Sequence, residues 1–317
     1  MSDNTFLYYK HFDDAHTRRI SYLVFTKNRG HRLDHTITYL KQCMRQEDEL
    51  IIADGASTDS TQEVVLRHRD AVQIFLSEQD RSAQHGLNKA IMLARGKYII
   101  LLPDDDRVHA DGIDAAVEVM EKNSDIDTLV CGGIKHFLIR NTSRPFYYGP
   151  GMNYGSTVEH AFTYGTCGNG FVIKRSAFAK VGLFPPDAAE WDVIWFAQCI
   201  ANGGVVKFAR INLFDHYISE DSISYKMRQK MIAQRIRFMK QYCSPAFVRA
   251  YRLKKNVFYR RSGLSKAIDF VYGTRKIIRK EGVGKLVRQI ANYVVPSKNR
   301  RAKKGVPSSP VWDGGLS

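Results

Sequence analysis

Along the first third of the chain, the apolar positions switch repeatedly between a strand-like and a helix-like period. Ile20-Ser-Tyr-Leu-Val-Phe25 is rich in β-branched and aromatic residues and predicts a strand, closed by the polar turn Thr26-Lys-Asn-Arg29-Gly30. From His31 to Gln42 the apolar residues Leu33, Ile37 and Leu40 recur at helical spacing. Asp48 to Ala53 predicts a second strand, running into Asp54-Gly-Ala-Ser-Thr-Asp59. Ser57, Thr58 or Asp59 can cap the next helix, whose apolar side is Val64, Val65 and Leu66. Ala71 to Leu76 predicts a third strand, and Gly86 to Arg95 a helix with Leu87, Ile91 and Ala94 on one face. Tyr98 to Leu102 then reads as a buried strand, ending in a proline and three consecutive carboxylates, Asp104, Asp105 and Asp106.

Strands and helices alternating in this way predict βαβ units and a mostly parallel sheet with right-handed crossovers. Each polar cluster follows a strand: Thr26 to Arg29, Asp54 to Asp59, Glu78 to Arg81 and Asp104 to Asp106. Such clusters converge on one edge of an open α/β sheet, where ligands bind. Neither GxGxxG nor GxxxxGK[ST] occurs, which disfavours dinucleotide and P-loop folds. Further on, a helix carries Ile113, Val117 and Met120, and Phe171 to Ile173 is a strand. Phe178 to Phe184 with Pro185 and Pro186 reads as a turn, Asp192 to Ala201 as a helix and Val205 to Phe208 as a strand.

Length and charge add a second part to this picture. The 317 residues suffice for a large α/β domain and something smaller. The net charge of +16 is uneven: between Lys226 and Lys304 there are 24 Lys and Arg against 2 acids, and the remainder is mildly acidic. The basic region contains apolar stripes at helical spacing (Met227 to Met239, then Val283, Leu286, Val287, Ile290 and Val294). Basic amphipathic helices favour an anionic membrane surface; a solvated helical subdomain is the plainer alternative. Nucleic acid is a poor candidate partner, since no binding motif accompanies the charge. The expected division is an extension over 1–19, an α/β domain over 20–225 split at 106, basic amphipathic helices over 226–297 and a disordered tail over 298–317. The N-terminus lacks the pattern of a secretory signal, no apolar run reaches the ~18 residues of a membrane span, and the five scattered cysteines read as reduced thiols. A cytoplasmic protein attached to the inner face of the membrane is expected.

The acid triplet is the sharpest chemical signal. Three carboxylates at a strand end repel one another unless a cation sits among them, and Mg²⁺ or Mn²⁺ held by carboxylates commonly bridges to substrate phosphates. A solvated acidic turn is the bland alternative.

Four segments together resemble the family-2 glycosyltransferases, inverting enzymes of the GT-A fold that use nucleotide sugars. The first strand with Thr26-Lys-Asn-Arg29 is similar to that family's opening strand and turn. Asp54-Gly-Ala-Ser-Thr-Asp-Ser-Thr61 resembles its D-G-S-S-T-D-x-T segment. Glu78-Gln-Asp-Arg81, Asn88-Lys89 and the strand to Asp106 resemble its S-E-x-D…N-K…D-D segment. Gly182-Leu-Phe184 followed by Glu190-Trp-Asp192 resembles its G-x-F…acid-aromatic-D segment. The resemblance covers about residues 20–224. It implies a nucleotide-sugar-binding half over 20–106 and an acceptor half over 107–225. Asp54 would contact the nucleotide base, with Thr26 and Arg29 in the same pocket. Arg81 and Lys89 would lie near the diphosphate or support its loop. Asp105 would be the leading metal ligand, flanked by Asp104 on the nucleotide side and Asp106.

The chemistry asks for the same parts. Moving a sugar off a diphosphate requires the leaving charge to be neutralised, a Lewis-acid task, and a base to deprotonate the acceptor hydroxyl. Glu190 is the first choice of base and Asp192 the second, with helix capping the alternative role. His216 would complete the metal site, hold a phosphate or simply pack. The function so implied is metal-dependent transfer of a hexose from a nucleotide sugar, UDP-linked by resemblance, to a glycan or lipid-linked acceptor in surface polysaccharide or lipopolysaccharide synthesis. The alternative is a nucleotide-sugar-binding or membrane-associated protein without turnover.

Overall fold

The computed structural model of the chain describes residues 6–9, 18–147, 157–219 and 228–259. The amphipathic stretch expected over 283–294, its noisier neighbour over 267–278 and the tail over 298–317 lie outside them. The described residues fall into two units, one ending at Cys243 and the other beginning at Ser244.

In the first unit, ten strands form one sheet: β1 (Phe6–Tyr9), β2 (Ile20–Thr26), β3 (Glu49–Asp54), β4 (Ile74–Ser77), β5 (Tyr98–Pro103), β6 (Arg107–Val108), β7 (Thr128–Phe137), β8 (Thr142–Phe146), β9 (Phe171–Lys174) and β10 (Val206–Ile218). The order is β1-β4-β3-β2-β5-β9-β7-β10-β6, with β8 paired to β7. The helices are α1 (Gly30–Cys43), α2 (Thr61–Arg67), α3 (Ala83–Leu93), α4 (Ala110–Lys122), α5 (Val158–Tyr164), α6 (Ala177–Val181), α7 (Trp191–Ala201) and α8 (Arg228–Tyr242). The second unit contributes α9 (Pro245–Tyr259), which carries Arg249 and Arg252 and buries Val248 and Tyr251.

The continuous apolar runs became the central strands. β2, β3 and β5 are buried along nearly their whole lengths, as strands covered on both faces must be. Strands β4, β3, β2 and β5 are mutually parallel. Because β3 and β4 extend to one side of β2 while β5 pairs on the other, the winding reverses between β2 and β5, and the crevice of an open sheet forms there. The second half is mixed: β9 runs antiparallel to both β5 and β7, and β10 is parallel to β7. The parallel pattern expected from the alternating strands and helices holds in the first half, where that alternation lies.

Three elements differ from the sequence pattern. Phe6–Tyr9, read as part of an extension, pairs antiparallel with β4, and Phe6 meets Phe75 at 5.8 Å. The segment read as a turn over 178–184 begins with the short helix α6, ended by Gly182 at φ +90°. β10 runs ten residues past Phe208, through Asp215 and His216. Ile211, Leu213 and Phe214 of this extension are buried, and its polar end from Asp215 is held as a strand by backbone pairing with β6 and β7.

Close approach sets one glycine. A Cβ on Gly30 would collide with Ser60 and the backbone of Thr61. Asp59 ties the same junction, accepting from Gly30 N at 2.9 Å and Thr61 N at 3.1 Å. The start of α1 is thereby locked to the start of α2.

Candidate active site

The ends of β2 and β5 bring the first site residues together across the reversal in strand order. Thr26 Oγ1 donates to Asp104 Oδ2 at 2.6 Å, and Arg29 Nη1 donates to Asp104 Oδ1 at 3.0 Å. Arg29 also reaches Asp105 at 3.3 Å, and Arg32 in the first turn of α1 reaches the same oxygen at 3.0 Å. Asp104 is buried, and its backbone carbonyl accepts from Thr36 Oγ1 at 2.9 Å. Burial raises the Asp104 carboxyl above its ordinary range, offset by Thr26 and Arg29. Asp105 is pushed to about 6 by burial and by the charges of Asp106 and Asp104, against Arg29 and Arg32. Two guanidiniums, Arg29 and Arg32, thus stand against the adjacent carboxylates of Asp104 and Asp105.

Asp106 points to a different set of partners. Asn169 donates through Nδ2 to Asp106, His216 Nδ1 lies 2.9 Å from Oδ2, and Tyr217 N donates to Oδ1 at 2.8 Å. His216 and Tyr217 belong to the unexpected second half of β10. The structure thus joins Asp106 and His216, residues separated by more than a hundred positions.

Asp54, at the end of β3, is opposite Thr26 in register. Its oxygens accept from Ser57 N at 2.9 Å, from Ser57 Oγ and from Ser77 Oγ at 2.6 Å. The turn after β2 is sewn to this loop by Asn28: its N–H donates to Ser57 Oγ at 2.7 Å, and its Oδ1 accepts from Thr58 N at 2.8 Å. Asn28 and Ala56 both adopt positive φ, at 52° and 58°. Such conformations cost an alanine of order 1 kcal/mol and gather at ligand sites.

Lys89 is ion-paired with Glu78 and Asp80, each at 2.5 Å. That pairing ties α3 to the loop after β4, the supporting role among those expected of it. The Arg81 side chain is exposed, and its backbone N–H faces His85 Nδ1 at 3.4 Å; no described contact brings it to the carboxylates.

Glu190 and Asp192 flank Trp191 at the start of α7. The Trp191 ring stands edge-on to Phe25, 6.5 Å away, and to Phe171 at 6.4 Å. It also lies against Gly168, where a Cβ would collide with it. Phe25 precedes Thr26 and Gly168 precedes Asn169, so this packing brings the start of α7 up to the Asp106 cluster. Both Glu190 oxygens are taken by Arg235 of α8, with Nε to Oε2 at 2.6 Å and Nη2 to Oε1. Asp192 has no such clamp. Burial and the adjacent Glu190 charge push its carboxyl to about 6.

Sequence reasoning missed Arg32, Asn169 and Arg235. Asn169 had a local signal in the run Gly165 to Gly170. Arg32 and Arg235 had none, since each is one cation among many until its helix is placed.

A family model described as glycosyl transferase family 2 matches residues 21–182, just over half of the chain. The chain belongs to this family. The match begins in β2 and takes in the Asp54 loop, the triplet and Asn169, while Glu190, His216 and Arg235 lie beyond it. Among relatives of this family 2 chain is the putative teichuronic acid biosynthesis glycosyltransferase TuaG of Bacillus subtilis, 29% identical over 24% of this chain and 31% of its own length. Another is the UDP-Glc:alpha-D-GlcNAc-diphosphoundecaprenol beta-1,3-glucosyltransferase WfgD of Escherichia coli, 26% identical over 33% of this chain and 42% of its own. Across the curated relatives the matched segments span 11% to 52% of their lengths. The mannosyltransferase PcManGT from Pyrobaculum calidifontis, solved with GDP-Man and Mn²⁺, superposes at a TM-score of 0.57 and 16% identity, covering 88% of this chain and 86% of that one. S. aureus TarS 1-349 with UDP-GlcNAc gives 0.52 and 13%, covering 87% and 80%. These likenesses bear out the GT-A fold class expected from the sequence.

Proposed function

We propose that this family 2 chain is an inverting, metal-dependent glycosyltransferase that moves a sugar from a nucleotide sugar, UDP-linked by preference, to a hydroxyl of a glycan or lipid-linked acceptor in surface polysaccharide synthesis. The observation that carries this reading is the set of three strand-end carboxylates gathered at the strand-order reversal. They are only partly neutralised by Arg29 and Arg32. Relatives named for teichuronic acid synthesis and for glucosyl transfer to a diphosphoundecaprenol-linked sugar agree with it.

The residues fit a divalent ion. Among the described residues no three His, Cys, Asp or Glu side chains enclose one point. An ion held by one or two carboxylates and completed by substrate phosphate and water needs no such cage. Asp105, Asp106 and His216 would hold it. With the proton of His216 on Nδ1 toward Asp106, Nε2 carries the lone pair. When bound, Mn²⁺ or Mg²⁺ supplies Lewis-acid neutralisation of the leaving diphosphate.

The chain's own groups do the rest. Asp54 and the loop sewn to Asn28 receive the nucleotide base. Thr26 and Arg29 hold Asp104 as one wall of the nucleotide pocket, Lys89 fixes the loop after β4, and Arg81 reaches the diphosphate from that loop. Asp192 takes the proton of the acceptor hydroxyl, since a carboxyl near 6 has the proton affinity a base needs near neutral pH. Glu190, clamped by Arg235, positions the start of α7. This reading puts Asp192 before Glu190, the opposite of the order suggested by sequence.

A thermal-shift series with UDP-, GDP- and other nucleotide sugars, with and without Mn²⁺, tests the donor reading. Ligand binding to the folded state raises Tm by mass action. A metal-dependent rise with one donor class is expected, and no shift with any nucleotide would overturn it. Asp54→Ala should weaken UDP binding by about tenfold in calorimetry, the ~1.5 kcal/mol of one charged hydrogen bond. An unchanged Kd would remove Asp54 from the nucleotide pocket.

The basic C-terminal region is the proposed anchor to the cytoplasmic face of an anionic membrane. No helix among the described residues is long and apolar enough to cross a bilayer. The full chain should sediment with phosphatidylserine or cardiolipin vesicles and leave them at high salt. Removing residues 244–317 should abolish sedimentation, and undiminished binding would sink the anchor.

A further inference from the structure

Between Thr128 and Val158 the chain holds no acid, while Lys135, Arg140 and Arg144 supply three cations. The centre of this stretch is the hairpin of β7 and β8, in which Phe137 pairs with Thr142 and Gly133 with Phe146. The root of the hairpin is stapled on both sides. His136 Nδ1 lies 2.8 Å from Ser143 Oγ across the two strands, and the His136 ring stacks on Tyr217 of β10 with centroids 4.7 Å apart. Lys135 Nζ sits over the Phe146 ring at 3.6 Å.

The tip has no comparable packing. Leu138–Arg140 make one short helical turn, closed by Asn141 at φ +46°, a conformation that asparagine tolerates. Leu138 and Ile139 are exposed at 56% and 48%. Arg140 and Arg144 are exposed on the same hairpin, and neither has an ion pair among the described residues. A firmly rooted hairpin thus presents two apolar side chains and two unpaired guanidiniums to its surroundings.

The combination selects a partner. The guanidiniums and the missing acids call for an anionic surface. A soluble polyanion would meet that charge but would leave Leu138 and Ile139 in water. A strand from another protein is a poor fit, because Pro145 has no N–H to offer it and the charge of Arg144 guards the same edge strand. A bilayer with anionic headgroups meets both demands: its acyl boundary takes apolar side chains while its phosphates stay level with the cations.

We propose that the β7–β8 hairpin is a membrane-contact element, with Leu138 and Ile139 entering the interface of an anionic bilayer and Arg140 and Arg144 on its headgroup phosphates. The inference rests on the membrane attachment proposed above for the C-terminal region and adds a contact borne by the α/β domain itself. The contact is small. A whole myristoyl chain gives only marginal binding, so two side chains and two cations do not hold the chain alone. Their effect is to fix which face of the α/β domain meets the bilayer.

The test titrates the full chain with phosphatidylcholine vesicles carrying phosphatidylserine and with phosphatidylcholine vesicles alone. The wild type should partition onto the serine-containing vesicles. The double change Leu138→Ser and Ile139→Ser should weaken that partitioning by about tenfold. Arg140→Gln with Arg144→Gln should weaken it by about as much and flatten its salt dependence. Tm should stay at the wild-type value in both, which shows that they are folded. The indole introduced by Ile139→Trp should be quenched by lipids brominated near the headgroup end of their chains. Wild-type partitioning of the Leu138→Ser, Ile139→Ser chain, or an unquenched indole on a vesicle-bound chain, overturns the hairpin contact and leaves the C-terminal attachment standing. A loss confined to the arginine changes also overturns it, because charge would then act without insertion. Failure of the wild type to bind any vesicle overturns the membrane attachment beneath the proposal.

Discussion

Asp105→Ala is expected to leave a folded protein whose sugar transfer has fallen by about a thousandfold, roughly 4 kcal/mol of transition-state stabilisation. The expectation comes from the charge around this side chain. Its carboxyl is pushed to about 6 by burial and by Asp106 and Asp104. Folding therefore leaves it in contact with unneutralised negative charge, the situation a divalent ion relieves. If Asp105 is a metal ligand as proposed, removing it would withdraw that ligand while keeping the neighbouring fold intact, since Arg29 retains Asp104. Stability should hold or improve. A carboxyl raised in the folded state costs stability above its folded value, and the cost fades as pH falls from about 6 toward the ordinary carboxylate range. At pH 7.5 the variant escapes that cost, set against the loss of the Arg32 pair. The assay is transfer or donor hydrolysis against Mn²⁺ concentration, with Tm measured in parallel. Activity within tenfold of wild type, with unchanged metal dependence, would remove Asp105 from the metal site.

The second large effect is expected at the start of α7. Asp192→Asn should lower kcat by ~10²–10⁴, the range of general base catalysis. In the wild type, kcat should fall with decreasing pH through about 6, because the base must be ionised to accept the acceptor's proton. The variant's residual rate should lack that acid limb. The same sign rule applies to stability: the raised Asp192 costs stability above about pH 6, so the Asn variant should melt no lower than wild type at pH 7.5. A low rate with an unchanged Tm separates catalysis from misfolding. Glu190→Gln gives the contrast. It disturbs the Arg235 clamp and should reduce the rate while keeping the acid limb. If instead Glu190→Gln loses the limb and Asp192→Asn keeps it, the two acids exchange roles.

Both experiments turn on neighbours that are distant in sequence. Arg32 meets Asp105 only because α1 starts at the strand-order reversal. Arg235 meets Glu190 only because α8 packs beside α7. A cation in a chain of 48 Lys and Arg carries no mark of its eventual partner.

The sequence by itself determined the parallel half of the sheet, because strands buried on both faces must be continuously apolar and their crossover helices must carry an apolar stripe. It also determined that Thr26, Asp54 and the acid triplet would share one edge, since each follows a parallel strand. The resemblance of four ordered segments gave the family, which the match over residues 21–182 bears out. Tertiary structure alone decided the rest. Phe6–Tyr9 became a strand because β4 offered an open edge. The polar end of β10 became a strand because β6 and β7 supplied backbone partners, and this brought His216 to Asp106. The difference between Glu190 and Asp192 is likewise tertiary, since burial and a guanidinium's position set the proton affinity and freedom of a carboxylate, and neither is written in its own residue type.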